Sequence, residues 1–171
     1  MTPPAPRYGA LPEDWTLLDE TLGLTADLLP VVSNPNATID PNSTLSSLGK
    51  TPSRYNRNGY VAGMAKWTAH ITNAAQVEDW KKQKDYGICL QTRVAKALDV
   101  DVTDEIEAAR IEEFINQRFV FPRRGRSNSP KFLLALMWPE VDRKRVIKVK
   151  GGMIELLAAG QQFVTFGCHP S

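Results

Sequence analysis

The sequence predicts a mixed α/β (α+β) fold in which a mostly antiparallel or mixed sheet is flanked by helices. Three observations predict it. Short apolar runs bounded by turn residues recur in the second half of the chain, at residues 87–90, 97–102, 132–137, 153–157 and 161–166. Residues 143–150 alternate basic and apolar side chains, which suits an antiparallel strand with one wet face. Two helical patterns, one after Asn73 and one after Thr103-Asp104, flank these runs.

In chain order, residues 1–12 are rich in proline and expected to fray. Leu17, Leu18, Leu22, Leu24, Leu28 and Leu29 follow at roughly helical spacing, so a helix is expected over residues 14–29, stopped by Pro30. Residues 33–60 hold Asn-Pro-Asn, Asp-Pro-Asn, Gly-Lys-Thr-Pro and Asn-Arg-Asn-Gly, turn chemistry that predicts a long irregular segment. Asn73 is a good N-cap for a helix running to about Lys84 with Val77 and Trp80 facing inward. The runs at 87–90 and 97–102 are expected to form a hairpin around residues 91–96. Thr103 or Asp104 caps a helix from Glu105 to about Phe119, its apolar face drawn from Ile106, Ala109, Ile111, Phe114 and Ile115. A loop over residues 122–131 leads into a central strand at 132–137, Gly151-Gly152 makes a tight turn, and the strands at 153–157 and 161–166 close the order.

The 171 residues fit one domain with a substantial core, and 42% hydrophobic with 23% charged residues is a globular composition. The net charge of +2 hides an uneven distribution. Residues 76–118 hold ten acids against seven Lys and Arg, whereas residues 119–171 hold nine Lys and Arg against three acids. An acidic cluster beside a basic lobe suits a site that holds cations and polyanions together. Cys89 and Cys168 form no Cys-x-x-Cys pair, which argues against a zinc knuckle or disulfide framework, and both are expected to be small buried residues in a reducing compartment. With no signal-like or membrane-spanning apolar stretch, a cytoplasmic location is expected.

The chemistry concentrates in Leu-Asp-Val-Asp-Val at 98–102. Asp99 and Asp101 lie two apart in a strand and therefore share a face, and two neighbouring carboxylates in an apolar run call for a cation or a proton. Read alone, the pair also fits a strand end entering the acidic turn of Asp104, Glu105 and Glu107. Glu155 is the second signal, an isolated acid between Ile154 and Leu156. If its strand adjoins that of Asp99, three oxygen donors converge, the ligand type of hard divalent ions. The third is the run from Arg123 to Lys131, where three guanidiniums, hydroxyls and an ammonium suit a triphosphate. No Gly-x-Ser-x-Gly and no Gly-x-x-x-x-Gly-Lys-[Ser/Thr] occurs, so hydrolase and ATPase motifs are absent.

This ordered set resembles the phage and plasmid primase-polymerases, the bifunctional DNA primase/polymerase domains of the archaeo-eukaryotic primase superfamily. Asp99 and Asp101 look like that family's Asp-x-Asp/Glu first motif, Ser129-Pro-Lys131 like its Ser-x-His second motif, and Glu155 like the acid of its third. Gly49-Lys-Thr-Pro, Trp67 and Gly160-Gln-Gln-Phe-Val also resemble the frame of such domains. Lys131 replaces the more usual His, and the third acid is Glu rather than Asp. The resemblance covers residues 45–171 as one primase-like catalytic core, with residues 1–44 as a leader carrying one helix and with room for further sequence, such as a helicase region, in a longer parent.

The resemblance implies a template-directed nucleotidyltransferase acting in phage or plasmid replication. Asp99, Asp101 and Glu155 would ligate two Mg²⁺ or Mn²⁺ ions, with no zinc site. Arg126, Ser129 and Lys131 would grip the phosphates of a dNTP or NTP, with Gln162 and His169 as further nucleotide contacts. Arg143, Lys144, Arg145, Lys148 and Lys150 would meet the DNA template backbone. A two-metal nuclease and a non-catalytic nucleic-acid-binding module remain the alternatives.

Overall fold

The computed structural model describes residues 6–168, a mixed α+β chain whose sheets are antiparallel. Two compact units divide it. One comprises the described residues up to Gln91 together with those from Gln162 onward, and the other is Thr92–Gln161. The first unit is therefore discontinuous in sequence.

In the first unit, helix α1 (Pro12–Thr16) continues as a π-helical turn over Leu17–Thr21. A 3₁₀ turn, Thr25–Asp27, leads directly into strand β1 (Leu28–Val32). The expected helix over 14–29 is thus only its first half. Gly23 takes a positive φ of 66° and breaks the helical path, and the β-branched Val31 and Val32 draw the remaining leucines into a strand. Residues 33–60 are mostly irregular, as their turn chemistry predicts, apart from β2 (Ser53–Tyr55) pairing with β3 (Val61–Gly63). Helix α2 (Ala74–Lys81) begins at Asn73, whose side chain accepts from Gln76 N while the Gln76 side chain accepts from Asn73 N. Val77 and Trp80 are buried, as expected.

Strand β4 (Tyr86–Gln91) is buried at all six positions and lies between β1 and β10 (Gln162–Phe166), antiparallel to both. Its neighbour β1 is an edge of this sheet, which explains how Pro30, lacking an N–H, is accommodated opposite Ile88. Leu29, Val31, Met64, Cys89 and Val164 form the core here, with Trp67 against it. Cys89 is buried as predicted, but Cys168 is exposed.

The second unit is a five-stranded sheet in the order β6-β7-β5-β9-β8, built from β5 (Ala95–Val102), β6 (Arg123–Arg126), β7 (Ser129–Met137), β8 (Arg145–Val149) and β9 (Gly152–Leu157). The expected hairpin between 87–90 and 97–102 does not form, because β4 pairs with β1 and β10 and β5 pairs with β7 and β9. Nor are residues 122–131 simply a loop. Arg123–Arg126 is an edge strand that pairs with β7 through a bulge at Gly125/Arg126.

One face of this sheet is covered by helix α3 (Glu105–Asn116), capped by the Asp104 side chain, which accepts from Glu107 N at 3.1 Å. Ala108 is buried, and Ile111 and Ile115 pack with it against Leu98, Val100, Val102, Phe132, Leu134 and Ile154. The inward spacing 108, 111, 115 follows the helical period. Ile106 and Phe114, assigned to that face from sequence, are instead 74% and 58% exposed. β8 is the other edge of the sheet, and both Val146 and Ile147 are exposed, so its two faces are wetter than the alternation predicts.

Candidate metal and phosphate site

Side-chain alternation in β5 divides its residues between two environments. Leu98, Val100 and Val102 point into the α3-covered core, so Asp99 and Asp101 stand on the opposite face of the sheet. The register then brings the third acid alongside. Asp99 is directly opposite Glu155 on β9 and opposite Leu133 on β7, while Asp101 is opposite Met153. Directly opposed residues on neighbouring strands have Cβ atoms about 4.5–5.5 Å apart. One row across the sheet therefore reads Arg124, Leu133, Asp99, Glu155, Val146.

Two glycines allow β9 to close on β5 at this point. Gly151 turns with a φ of 78°, and a Cβ on Gly152 would overlap the carbonyl oxygen of Asp101. The Gly151-Gly152 turn seen in the sequence is thus a device for close approach beside Asp101, two residues along from the row.

Two ammonium groups serve the carboxylates. Lys131 Nζ is 2.6 Å from Asp101 Oδ1, and Lys144 Nζ is 2.5 Å from Glu155 Oε1. These partly exposed pairs are each worth on the order of 0–1 kcal/mol, so they mark where cations are wanted more than they hold the fold together. Asp99 lies between them. Burial pushes its carboxyl above the usual range, the charges of Asp101 and Glu155 add to the rise, and Lys131 and Arg126 partly oppose it. The charges of these four groups thus converge on Asp99.

The predicted site residues fall into three sets. Asp99, Asp101, Glu155, Arg126 and Lys131 are brought together on one sheet of the second unit. Ser129 starts β7 opposite Arg126, and its hydroxyl accepts from Lys131 N at 3.3 Å. Gln162 heads β10 in the first unit, where its Nε2 donates to Lys50 O at 2.7 Å and its Oε1 is buried with no hydrogen-bond partner. His169 lies outside the described residues. Lys144 has a carboxylate partner that the sequence does not reveal. The sequence groups it with the template-facing basic residues, and its salt bridge to Glu155 depends on where the connection of residues 138–144 returns the chain, which local pattern does not show.

Three carboxylates on adjacent strands are the donor type that hard divalent cations take. All three acids offer oxygen, they sit on rigid adjacent strands, and their mutual repulsion calls for positive charge. Among the described residues, no group of three His, Cys, Asp or Glu side chains is gathered tightly enough to enclose an ion. Asp101 and Glu155 are turned to their lysines instead. A cleft of about 390 Å³ lies within the first unit and is lined by residues that include Arg54, Tyr55, Trp80 and Tyr86, none of them a carboxylate of the row. Among the described residues no helix is long and apolar enough to cross a membrane. No family model matches this chain, and no curated protein matches it.

Proposed function

We propose that this chain is a template-directed nucleotidyltransferase, a DNA primase/polymerase with a primase-like core, that uses two Mg²⁺ or Mn²⁺ ions. The observation that carries the reading is the single row of Asp99 and Glu155, with Asp101 two residues along, flanked by Lys131 and Arg126. Asp99, Asp101 and Glu155 would hold the metals. Such ions lower the pKa of an attacking 3′-hydroxyl and neutralise a triphosphate and its pyrophosphate leaving group. Lys131 supplies a point charge and Arg126 a planar fork for the phosphates, and Ser129 supports Lys131 through its backbone N–H.

The remaining assignments follow the same reading. Gln162 and His169 are nucleotide contacts, DNA template and primer are the partners, and residues Arg143, Arg145, Lys148 and Lys150 track the template backbone with salt-sensitive affinity. The expected setting is the cytoplasm of a prokaryotic host.

A labelled primer-template tests this directly. With Mn²⁺ and dNTPs the primer lengthens, and Asp99→Ala combined with Asp101→Ala reduces extension to background while the circular-dichroism spectrum is kept. Shortening of the primer with or without dNTPs identifies a two-metal nuclease instead. Binding without either change identifies a nucleic-acid-binding module.

A further inference from the structure

We infer that the cleft within the first unit is a binding site for a single nucleotide, its base laid against Trp80 and the Tyr55–Tyr86 pair, its polar edge on Gln83 and its phosphate on Arg54. The site needs no metal and uses none of the carboxylate row.

Strand pairing and burial set its shape. Arg54 on β2 is directly opposite Ala62 on β3, so the two share one face of the hairpin, and the short Ala62 side chain leaves room beside the guanidinium. Trp80, in the last turn of α2, and Tyr86, at the start of β4, are buried and form the floor, while Arg54, Asp79 and Gln83 are exposed at the rim. The enclosed volume of about 390 Å³ falls in the roughly 300–1,000 Å³ range of small-molecule sites.

The walls are preformed. The Tyr55 and Tyr86 rings stack at 6.0 Å with 16° between their planes. The Tyr55 hydroxyl donates to Asp85 Oδ2 at 2.6 Å, and Tyr55 N donates to the Tyr86 hydroxyl at 3.1 Å. Asn56 is engaged locally, donating to Asp40 Oδ2 and accepting from Asn58 N and Tyr60 N. Aromatic walls already fixed in this way lose little freedom when a flat ring docks.

The rim keeps two groups with unused capacity. Asp79 is neutralised by Lys82 at 2.9 Å. Among the described residues, Arg54 makes no ion pair and no side-chain hydrogen bond, and the Gln83 carboxamide makes no hydrogen bond. A planar guanidinium matches phosphate through two parallel bonds. A carboxamide matches a ring edge that offers a donor beside an acceptor, as adenine does. Aromatic side chains stack on any base. An aliphatic anion would leave the rings and the carboxamide unused, and a neutral aromatic molecule would leave the guanidinium unused. A nucleotide uses all three.

Isothermal titration of the whole chain in EDTA, with dAMP, deoxyadenosine and inorganic phosphate as separate probes, tests the inference. We expect dAMP to bind, deoxyadenosine to bind about tenfold more weakly, and phosphate alone to give no measurable heat. Arg54→Ala should weaken dAMP about tenfold and leave deoxyadenosine within about twofold, whereas Gln83→Ala should weaken both about threefold. Both side chains are exposed, so the melting temperature should not change. An oligo-dA strand distinguishes the two sources of the ligand. Equal affinity for dAMP and strand identifies the free nucleotide, and strand binding that is at least about tenfold tighter and equally dependent on Arg54 identifies a nucleotide within single-stranded nucleic acid. Absence of binding by both dAMP and strand, dAMP affinity unchanged in Arg54→Ala, or phosphate binding as tightly as dAMP overturns the inference. None of these outcomes bears on primer extension, which depends on the other sheet.

Discussion

β4 and β5 are both the central strands of their sheets, follow one another in sequence, and are built on opposite principles. β4 buries every residue from Tyr86 to Gln91, and its polar ends are paired, the Tyr86 hydroxyl accepting from Tyr55 N at 3.1 Å and the Gln91 amide donating to His70 O at 2.8 Å. β5 buries Val100 and Val102 under α3 but turns Asp99 and Asp101 to the other face, where they stand partly and openly exposed. A fully buried strand tolerates a charge only where hydrogen bonds compensate it, as the Thr92 and Arg93 carbonyls do for buried Lys96 at the start of β5, and β4 carries none. A strand with one open register can bear charge, and in β5 the cost of doing so is visible in the raised carboxyl of Asp99. The contrast separates residues that hold the chain together from residues available for chemistry.

Three substitutions test that separation, and the largest effect is expected in the apolar sheet. Leu29 is fully buried opposite Cys89, so Leu29→Ala should cost about 3 kcal/mol, read as a lower denaturation midpoint at unchanged slope. A cost below about 1 kcal/mol would mean that this sheet relaxes around a cavity and is not the rigid scaffold its burial implies. The next effect is at the seam of the charged sheet. Gly152→Val places a branched side chain against the Asp101 carbonyl, and a loss of about 2 kcal/mol is expected. Mn²⁺ affinity should fall with it, because β9 carries Glu155. Loss of stability with full metal affinity would show that the β5–β9 approach serves folding alone.

Much of this contrast was legible in the sequence. The 2-residue spacing of Asp99 and Asp101 and the isolated Glu155 identified a charged face before any pairing was known, since strand alternation is local physics. The cap at Asn73, the cap at Asp104 and the Gly151-Gly152 turn were legible for the same reason. What failed was pairing and continuity. Leucines at helical spacing over 17–29 do not reveal that Gly23 interrupts them and that Leu28 and Leu29 join a strand opposite residues 89–90. Consecutive strands usually pair, and β4 and β5 do not, because each finds its partners far away in sequence, β10 for one and β7 and β9 for the other. The Lys144–Glu155 contact depends on the same long-range register and was hidden with it.

The smallest effect is also the most specific to the charged face. Asp99 is held above its usual range first by burial and then by Asp101 and Glu155, so in metal-free protein its ionised form works against the fold. Asp99→Asn removes that charge at nearly constant shape and should raise the melting temperature by about 2 °C at neutral pH with chelator present. The sign of the pH dependence follows from linkage. An acid with a raised folded-state pKa contributes nothing unfavourable below the ordinary value of about 3.9, where both states are protonated, and becomes unfavourable as pH rises through its raised value. The advantage of Asp99→Asn should therefore be full above the raised value and shrink as pH falls through the window down to about 4. On the proposed two-metal reading, saturating Mn²⁺ should reverse the order, because an ion that binds the folded parent stabilises it by mass action and the variant would lack one of the proposed ligands. A variant no more stable than its parent without metal would place Asp99 in a neutralised surface cluster, and β5 would then differ from β4 only in exposure.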